Sequence, residues 1–445
     1  MKKEVVVLGG GLAGLVVADK LQDSGFSVTI VEKEDDVGGM CRSKILTLKD
    51  GDRVVYDLGP HKFAPCNDVA KDYFLKYVKD PITVPITGAV YLKNRILSYP
   101  VKITELLANF PLIGMQCGLS FLTKSLWYED GSYANYIRKR VGSYTYDFVF
   151  KDYADKVWGS PSNLDWELAR TRFVTPSLIG MLMAAITGKN TLTFKDFIYP
   201  NVCIGVLIKK IEAKIRDNGG KILKNTIPIS YDGKKLLISN SRGNISFIDP
   251  LIISTIKPRD MAGVLHLSSA PLAKLNYRTV NLFYFLVKGK RPYNTWLFYP
   301  EKEVLFNRTS INFHPRAVGD GKFLLCVEVT KKNKDIPNLK RRDIEEQLFK
   351  IYGIKEEDII DMWNDFLNGA YPIYHIGFKD DIASVLEMIE SHGDIYCIGR
   401  HACHNYNNMD HTINEAVDLA DNIAKERPKD AWDHKRRTYD WRIVD

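Results

Sequence analysis

Apolar runs and helical periods alternate in the order strand, turn, helix at both ends of the chain, while the middle follows other patterns. Residues 4–9 read Glu-Val-Val-Val-Leu-Gly, a run of the kind buried in a parallel sheet. Gly9-Gly10-Gly11-Leu12-Ala13-Gly14 comes next, then a helical pattern over 15–24 and a second strand over 26–31. Residues 206–218 are helical in period and stop at Gly219-Gly220, ahead of a strand over 221–223. One more strand is expected over 247–256, ended by Lys257-Pro258. Residues 395–400 read as a buried strand meeting Gly399, with a helix over 413–425 after it. These pieces predict one parallel α/β domain assembled from 1–75, 200–262 and 385–427. Between them, 76–199 is rich in helical periodicity and aromatics, which predicts a mostly helical unit. Residues 263–384 alternate apolar and polar positions around Pro, Gly and Asn turns, which predicts an antiparallel sheet. Residues 428–445 are charged and carry two tryptophans, and are expected to form a tail.

Composition sharpens this only moderately. A chain of 445 residues exceeds one ordinary core, so two domains are expected. With 45% apolar and 26% charged residues, the proportions are those of a soluble globular protein. The formal charge of +8 is spread out, which gives nucleic acid no basic run to bind and reads first as a solvated surface. Its functional alternative is a field favouring phosphorylated small molecules or an anionic membrane. Seven scattered cysteines, with no CxxC pair, suggest free thiols in a reducing compartment, hence the cytoplasm. His401, Cys403 and His404 lie too close in sequence to surround one ion easily, so no metal is expected. No secretory signal is expected from the Met-Lys-Lys opening, which runs directly into a strand. The uncharged stretches 106–123 and 174–188 fall short of the ~20 strongly apolar residues of a spanning helix. They read as buried helices, with peripheral membrane contact as the minority reading. A homodimer is left open.

The glycine turn carries the first chemistry. Gly9 permits the tight turn, Gly11 lets a pyrophosphate approach the backbone, and Gly14 lets helix and strand pack closely. The helix N-terminus, with Leu12 and Ala13, offers free N–H groups and a positive dipole end to phosphates. Glu32 follows the second strand at the distance where an acid accepts the hydroxyls of an adenosine ribose. The segment Glu32-Lys33 through Gly38-Gly39-Met40-Cys41-Arg42-Ser43 resembles the "GG-x-x-R-[ST]" extension of glutathione-reductase-like flavoproteins of the amine oxidase type. Asp57-Leu58-Gly59-Pro60-His61 continues the resemblance, as does the closing segment with Gly399 and Arg400. What the resemblance implies is a Rossmann-like FAD-binding domain of the glutathione-reductase type with an inserted α+β substrate domain. FAD is then the cofactor, with Arg42 on its pyrophosphate and His61 near the flavin ring.

In the substrate region the resemblance narrows. Phe148 to Gly159, with Tyr153, Lys156 and Trp158, looks like the "F-x-x-Y-x-x-K-x-W" segment of UDP-galactopyranose mutases. Residues 164–173 hold Arg170 and Arg172, where that family places a substrate-phosphate arginine; spacing from Leu164 favours Arg172. Trp296 to Glu301 followed by Phe306-Asn307-Arg308 is similar to the segment of the second such arginine, and Tyr371-Pro372 to its Tyr-Pro segment. Tyr406-Asn407-Asn408-Met409-Asp410 resembles the closing "Y-x-[DN]-x-D" signature, which implies that Asn408, Met409 and Asp410 flank the flavin. The family's substrate tyrosine near Arg308 is replaced, with Phe298 at one candidate position and Phe313/His314 at another. The resemblance implies a pyranose/furanose mutase acting on a nucleoside-diphosphate sugar, with N5 of reduced FAD attacking the anomeric carbon. Arg172 and Arg308 would clamp the diphosphate, and Tyr153, Trp158, Tyr371 and Tyr406 would line the pocket. Resemblance to protoporphyrinogen and amine oxidases keeps a second reading open, an oxidoreductase taking a hydride onto FAD.

Overall fold

In the computed structural model, which describes residues 4–173, 196–268, 270–311, 318–331 and 341–442, the parallel sheet draws its strands from both ends and the middle of the chain. Its order is Ile395–Cys397, Leu251–Ser254, Val5–Leu8, Val28–Val31, Lys221–Leu223, parallel throughout. Val5–Leu8 sits at the centre with all four side chains buried, as a continuous apolar run requires when helices cover both faces. Helix Leu12–Asp23 packs against helices Gly205–Asp217 and Met409–Ala424. In Gly205–Asp217 the buried positions Leu207, Ile208, Ile211 and Ile215 fall on one helical face.

The run expected as one strand over 247–256 is two. Gly243–Ile248 ends at Asp249, whose φ of +47° and following proline break the ladder before Leu251–Ser254 resumes in the parallel sheet. The first of these completes a small antiparallel sheet with Ile227–Tyr231 and Lys235–Asn240.

The second large sheet has seven strands in the order Ile359–Pro372, Tyr277–Lys288, Lys322–Lys331, Arg308–Ile311, Trp296–Phe298, Gly88–Leu92, Arg95–Ser98. All neighbours are antiparallel except Trp296–Phe298 with Gly88–Leu92. Two of its strands come from the stretch expected to be mostly helical. Gly88–Leu92 and Arg95–Ser98 form a hairpin across Lys93-Asn94, both with positive φ, the conformation of a tight primed turn. Strands this short leave too few alternations to outweigh the helical pattern of 103–172 that follows. Helices Ile103–Asn109, Pro111–Leu122, Tyr133–Val141, Lys151–Val157 and Trp166–Arg172 then supply the expected helical part.

The C-terminal segment is not a tail. Lys429–Arg437 is a helix whose Trp432 is fully buried in the core of the parallel-sheet domain. Arg436, one turn later on the same face, forks onto Glu390 at 2.8 and 2.9 Å. Charge dominates its composition, yet the i, i+4 placement of Trp432 and Arg436 makes one face that packs. Among the described residues no helix is long and apolar enough to cross a membrane. Residues 174–188, Phe313 and His314 lie outside the described residues.

Candidate functional site

A cleft of about 290 Å³ opens between the carboxyl edge of the parallel sheet and the seven-stranded sheet. Its first end is the glycine turn. Gly9 has φ +105°, and a Cβ at Gly14 would strike the Gly9 carbonyl oxygen, so helix and turn touch backbone to backbone. A Cβ at Gly11, in contrast, would meet nothing within 4 Å. Gly11, Leu12 and Ala13 line the cleft, and no side chain caps the N-terminus of their helix. Gly39, Met40, Cys41, Gly59, Pro60 and His61 continue the wall, and Gly399, Arg400, Asn408 and Met409 close it. Helix Met409–Ala424 thus brings a second N-terminus to the same space, with Asn408 as its cap.

Gly9, Gly14, Glu32, Lys33, Arg42 and Asp410 are not on the wall. Glu32 is buried at the end of Val28–Val31, where its carboxylate accepts the N–H of Gly10 at 2.7 Å and of Glu34 at 2.9 Å. Lys33 points to solvent, 3.8 Å from Glu34. Arg42 Nε donates to the Gly39 carbonyl at 3.1 Å. Asp410 is buried beside His411, 4.0 Å from its Nε2.

His61 Nδ1 lies 3.1 Å from the Gly59 carbonyl, so Nδ1 carries the proton of the neutral ring. Burial, with repulsion from Arg400 and Arg308, brings its pKa down to about 4, and the ring is uncharged at neutral pH. Glu415 accepts the Gly399 N–H at 3.0 Å from behind the wall, and burial raises its pKa to about 7.

At the other end, Arg172, Arg308 and Arg400 line the one cleft. Arg172 ends helix Trp166–Arg172 and lies over the Tyr406 ring, 3.1 Å from its centroid, with Nη2 donating to the Tyr406 carbonyl. Its Nε is buried with no partner among the described residues. Burial, and then Arg400, pull its pKa below the ordinary guanidinium value. Arg170 turns away on the same helix, to Glu167 at 2.6 and 2.7 Å and to Asp440 at 3.4 Å.

Arg308 opens strand Arg308–Ile311 and is already paired. Its Nε and Nη2 fork onto Glu328 at 2.5 and 2.9 Å, and Tyr371 donates to the same carboxylate at 3.4 Å. Burial would lower the Arg308 pKa, but the Glu328 carboxylate holds it well above the usual value. Tyr371 and Tyr406 line the cleft, rings 4.9 Å apart. Tyr153 and Trp158 stand behind: Trp158 is buried edge-on to Tyr406 at 6.4 Å, and Tyr153 edge-on to Trp158 at 5.9 Å.

Sequence reasoning missed Glu328. Its signal was available, since it is the single acid in the otherwise apolar run from Phe323 to Val329, and a buried acid there needs a partner. It also missed Tyr99, Trp296 and Lys62, which line the cleft, with the Lys62 ammonium 4.9 Å from the Trp296 ring centroid.

A parallel sheet with a glycine turn and two helix N-termini at its carboxyl edge, facing a second sheet, is the architecture of a Rossmann-type fold with an inserted domain. Residues 7–77 match the family model for an NAD(P)-binding Rossmann-like domain. Over 96% of its length the chain superposes on 94% of a reduced UDP-galactopyranose mutase, with a TM-score of 0.82 and 18% identity. A putative protoporphyrinogen oxidase from Exiguobacterium sp. 255-15 (TM-score 0.69, 13% identity, 96% of this chain and 100% of that one) shares the architecture. So does cyclohexylamine oxidase from Brevibacterium oxydans (TM-score 0.67, 14% identity, 96% and 99%). The fold is therefore like that of UDP-galactopyranose mutase, and the two oxidases share it. In sequence, the chain is 25% identical over 172 residues to a probable UDP-galactopyranose mutase of Klebsiella pneumoniae, covering 36% of this chain and 43% of that protein. The alignment thus spans under half of that relative's length.

Proposed function

We propose that the chain is an FAD-dependent enzyme whose cleft binds a nucleoside-diphosphate sugar and interconverts its pyranose and furanose forms. The observation that carries this reading is the meeting of Arg172 and Arg308, from distant segments, in one cleft that also holds the glycine turn. The wall fits a flavin dinucleotide: the open space over Gly11 admits a pyrophosphate, two helix N-termini face it, and neutral His61 meets a ring without adding charge. Bound reduced flavin would supply the nucleophile for the anomeric carbon. The protein's own part is placement and electrostatics. Arg172 keeps unpaired hydrogen-bonding capacity for the leaving diphosphate, Arg400 adds positive field, and Tyr371 and Tyr406 offer hydroxyls without charge.

A second reading has one observation in its favour. Glu328 already neutralises Arg308, and aromatic rings surround the pair, which suits a less charged substrate that gives up a hydride. Incubation with UDP-galactopyranose, with and without dithionite, separates the two. Furanose product formed only after flavin reduction, with no stoichiometric use of reductant, is the expected result. Substrate-dependent bleaching of oxidised flavin, with no isomerised sugar, would overturn it in favour of the oxidoreductase. Protein that purifies colourless and takes up no FAD would sink both.

A further inference from the structure

Just before helix Met409–Ala424, the turn Tyr406-Asn407-Asn408 runs along the cleft wall with its backbone held from several sides. The Tyr406 N–H donates to the Tyr374 hydroxyl at 2.7 Å, and the Asn408 N–H to His411 Nδ1 at 3.3 Å. The Tyr406 carbonyl accepts Arg172 Nη2, and the Asn407 carbonyl accepts Arg400 Nη2. The Asn407 side chain, in contrast, is unspent. The residue is 1% exposed, and neither Oδ1 nor Nδ2 has a partner among the described residues. A buried amide costs free energy unless its donor and acceptor are both paired. One that lacks both partners, in a residue of the cleft wall, points to a ligand that supplies them.

We propose that the Asn407 amide recognises an imide edge, an N–H beside a C=O, on a ring bound in this cleft. The inference rests on the function proposed above and adds the group that reads the ring. An amide carries a donor and an acceptor side by side in one plane. An imide carries the complementary pair in the same geometry, so two coplanar hydrogen bonds form at once. Phosphate oxygens only accept, and would leave Oδ1 unpaired. A sugar edge offers both functions, but pressing it against so buried an amide strips water from its other hydroxyls. Two ligands of the proposed reaction carry an imide: the pyrimidine ring of the flavin and the uracil of a uridine nucleotide. In each, N3–H stands between two carbonyls. Either ring would be held at the turn that also receives Arg172 and Arg400, so ring binding and the cationic end of the cleft share one support.

Methylation of N3 removes the imide hydrogen and tests the contact in the unmodified protein. The flavin-free full chain is titrated with FAD and N3-methyl-FAD, and with UDP and N3-methyl-UDP. Asn407→Leu, which keeps the volume and removes the amide, is titrated alongside. In wild type the methyl group should weaken one of the two ligands about 10- to 100-fold, as loss of a two-bond contact requires, and the ligand that responds identifies the ring. Asn407→Leu should weaken the same parent ligand by a similar factor, and bind the methylated form within about 3-fold of the parent. Wild type that binds both methylated ligands as tightly as their parents overturns the inference, whether or not the variant folds. A folded variant that still discriminates against the methyl group overturns it too. Protein that takes up neither FAD nor UDP overturns the proposed function as well, whereas uptake of both with indifference to N3-methylation overturns this inference alone.

Discussion

Replacing Glu328 with Gln tests the charge balance of the cleft directly. The carboxylate is 2% exposed and holds Arg308 through two bonds of 2.5 and 2.9 Å. Gln keeps one acceptor oxygen but turns an amide N–H₂ toward a guanidinium that can only donate. Removing one partner of a buried pair costs about 3–5 kcal/mol, and the retained oxygen places this change near the lower end, about 3 kcal/mol. At the ~2–4 °C per kcal/mol typical of a 150–250-residue domain, that lowers Tm by roughly 6–12 °C. Ligand binding should move the other way. A released Arg308 fork offers one more charge-assisted bond to a diphosphate, about 1.5–3 kcal/mol, or ~10- to 100-fold tighter binding of UDP. Thermal melts and calorimetric titration with UDP give both quantities, with Arg308→Ala as the variant that should lose UDP binding. A variant that melts lower but binds UDP no more tightly would refute the reasoning, because Arg308 would then serve the fold alone.

Three further outcomes follow from the geometry. Gly11→Ala should leave the melting temperature of the flavin-free protein within about 1 °C of wild type while abolishing flavin retention, since its Cβ meets only open space; Gly14→Ala, whose Cβ meets the Gly9 carbonyl, should instead destabilise the fold by about 1–3 kcal/mol. Trp432→Ala should cost about 3–5 kcal/mol in urea unfolding, because the indole is fully buried, whereas a true tail would lose nothing. Stability should fall on acidification from pH 6.5 toward 4. Burial lowers His61, His401 and His404 each to about 4, so across that window the unfolded chain takes up protons that the folded chain refuses. Asp57 and Glu415, raised by burial to about 6 and 7, act oppositely and soften the slope, so His404→Gln should make Tm nearly independent of pH. A Tm that rises between pH 7 and 5 would count against buried neutral imidazoles.

The parallel sheet was legible because its strands are mostly apolar runs beside strong stops: Gly9, Gly219-Gly220 and Gly399 each end one element and begin another. The hairpin Gly88–Leu92 and Arg95–Ser98 was not, because four or five residues carry little period and a helical stretch follows. The C-terminal helix was hidden by its charge. Its packing rests on two residues, Trp432 and Arg436, and Arg436 finds its partner in Glu390, which nothing in the local pattern announces. The cleft was legible in its glycines and in Arg172, but its electrostatics were not. Spacing says where an arginine stands, while only the neighbouring strand shows that Arg308 is tied to Glu328 and Arg172 is not.

The acids of this cleft stand mostly behind its wall, and that arrangement has a physical cause. Loops that turn through positive-φ glycines leave backbone N–H groups without a ladder partner, and a buried N–H must be satisfied. Glu32 takes the N–H of Gly10, Glu415 that of Gly399 and Glu390 that of Cys397, while Asp57 takes Ile204 N–H and Ser43 Oγ–H. Each carboxylate fixes a wall segment, or a strand or loop that supports it, from the side away from the cleft. The charged and backbone groups left facing inward are then helix N-termini, glycine backbone, Lys62, Arg172 and Arg400. Among the described residues that line the cleft, Glu328 alone is negatively charged, and it is bound to Arg308. Along the described wall the charged groups are therefore mostly cationic, because the acids that hold the loops are not among the residues that line it.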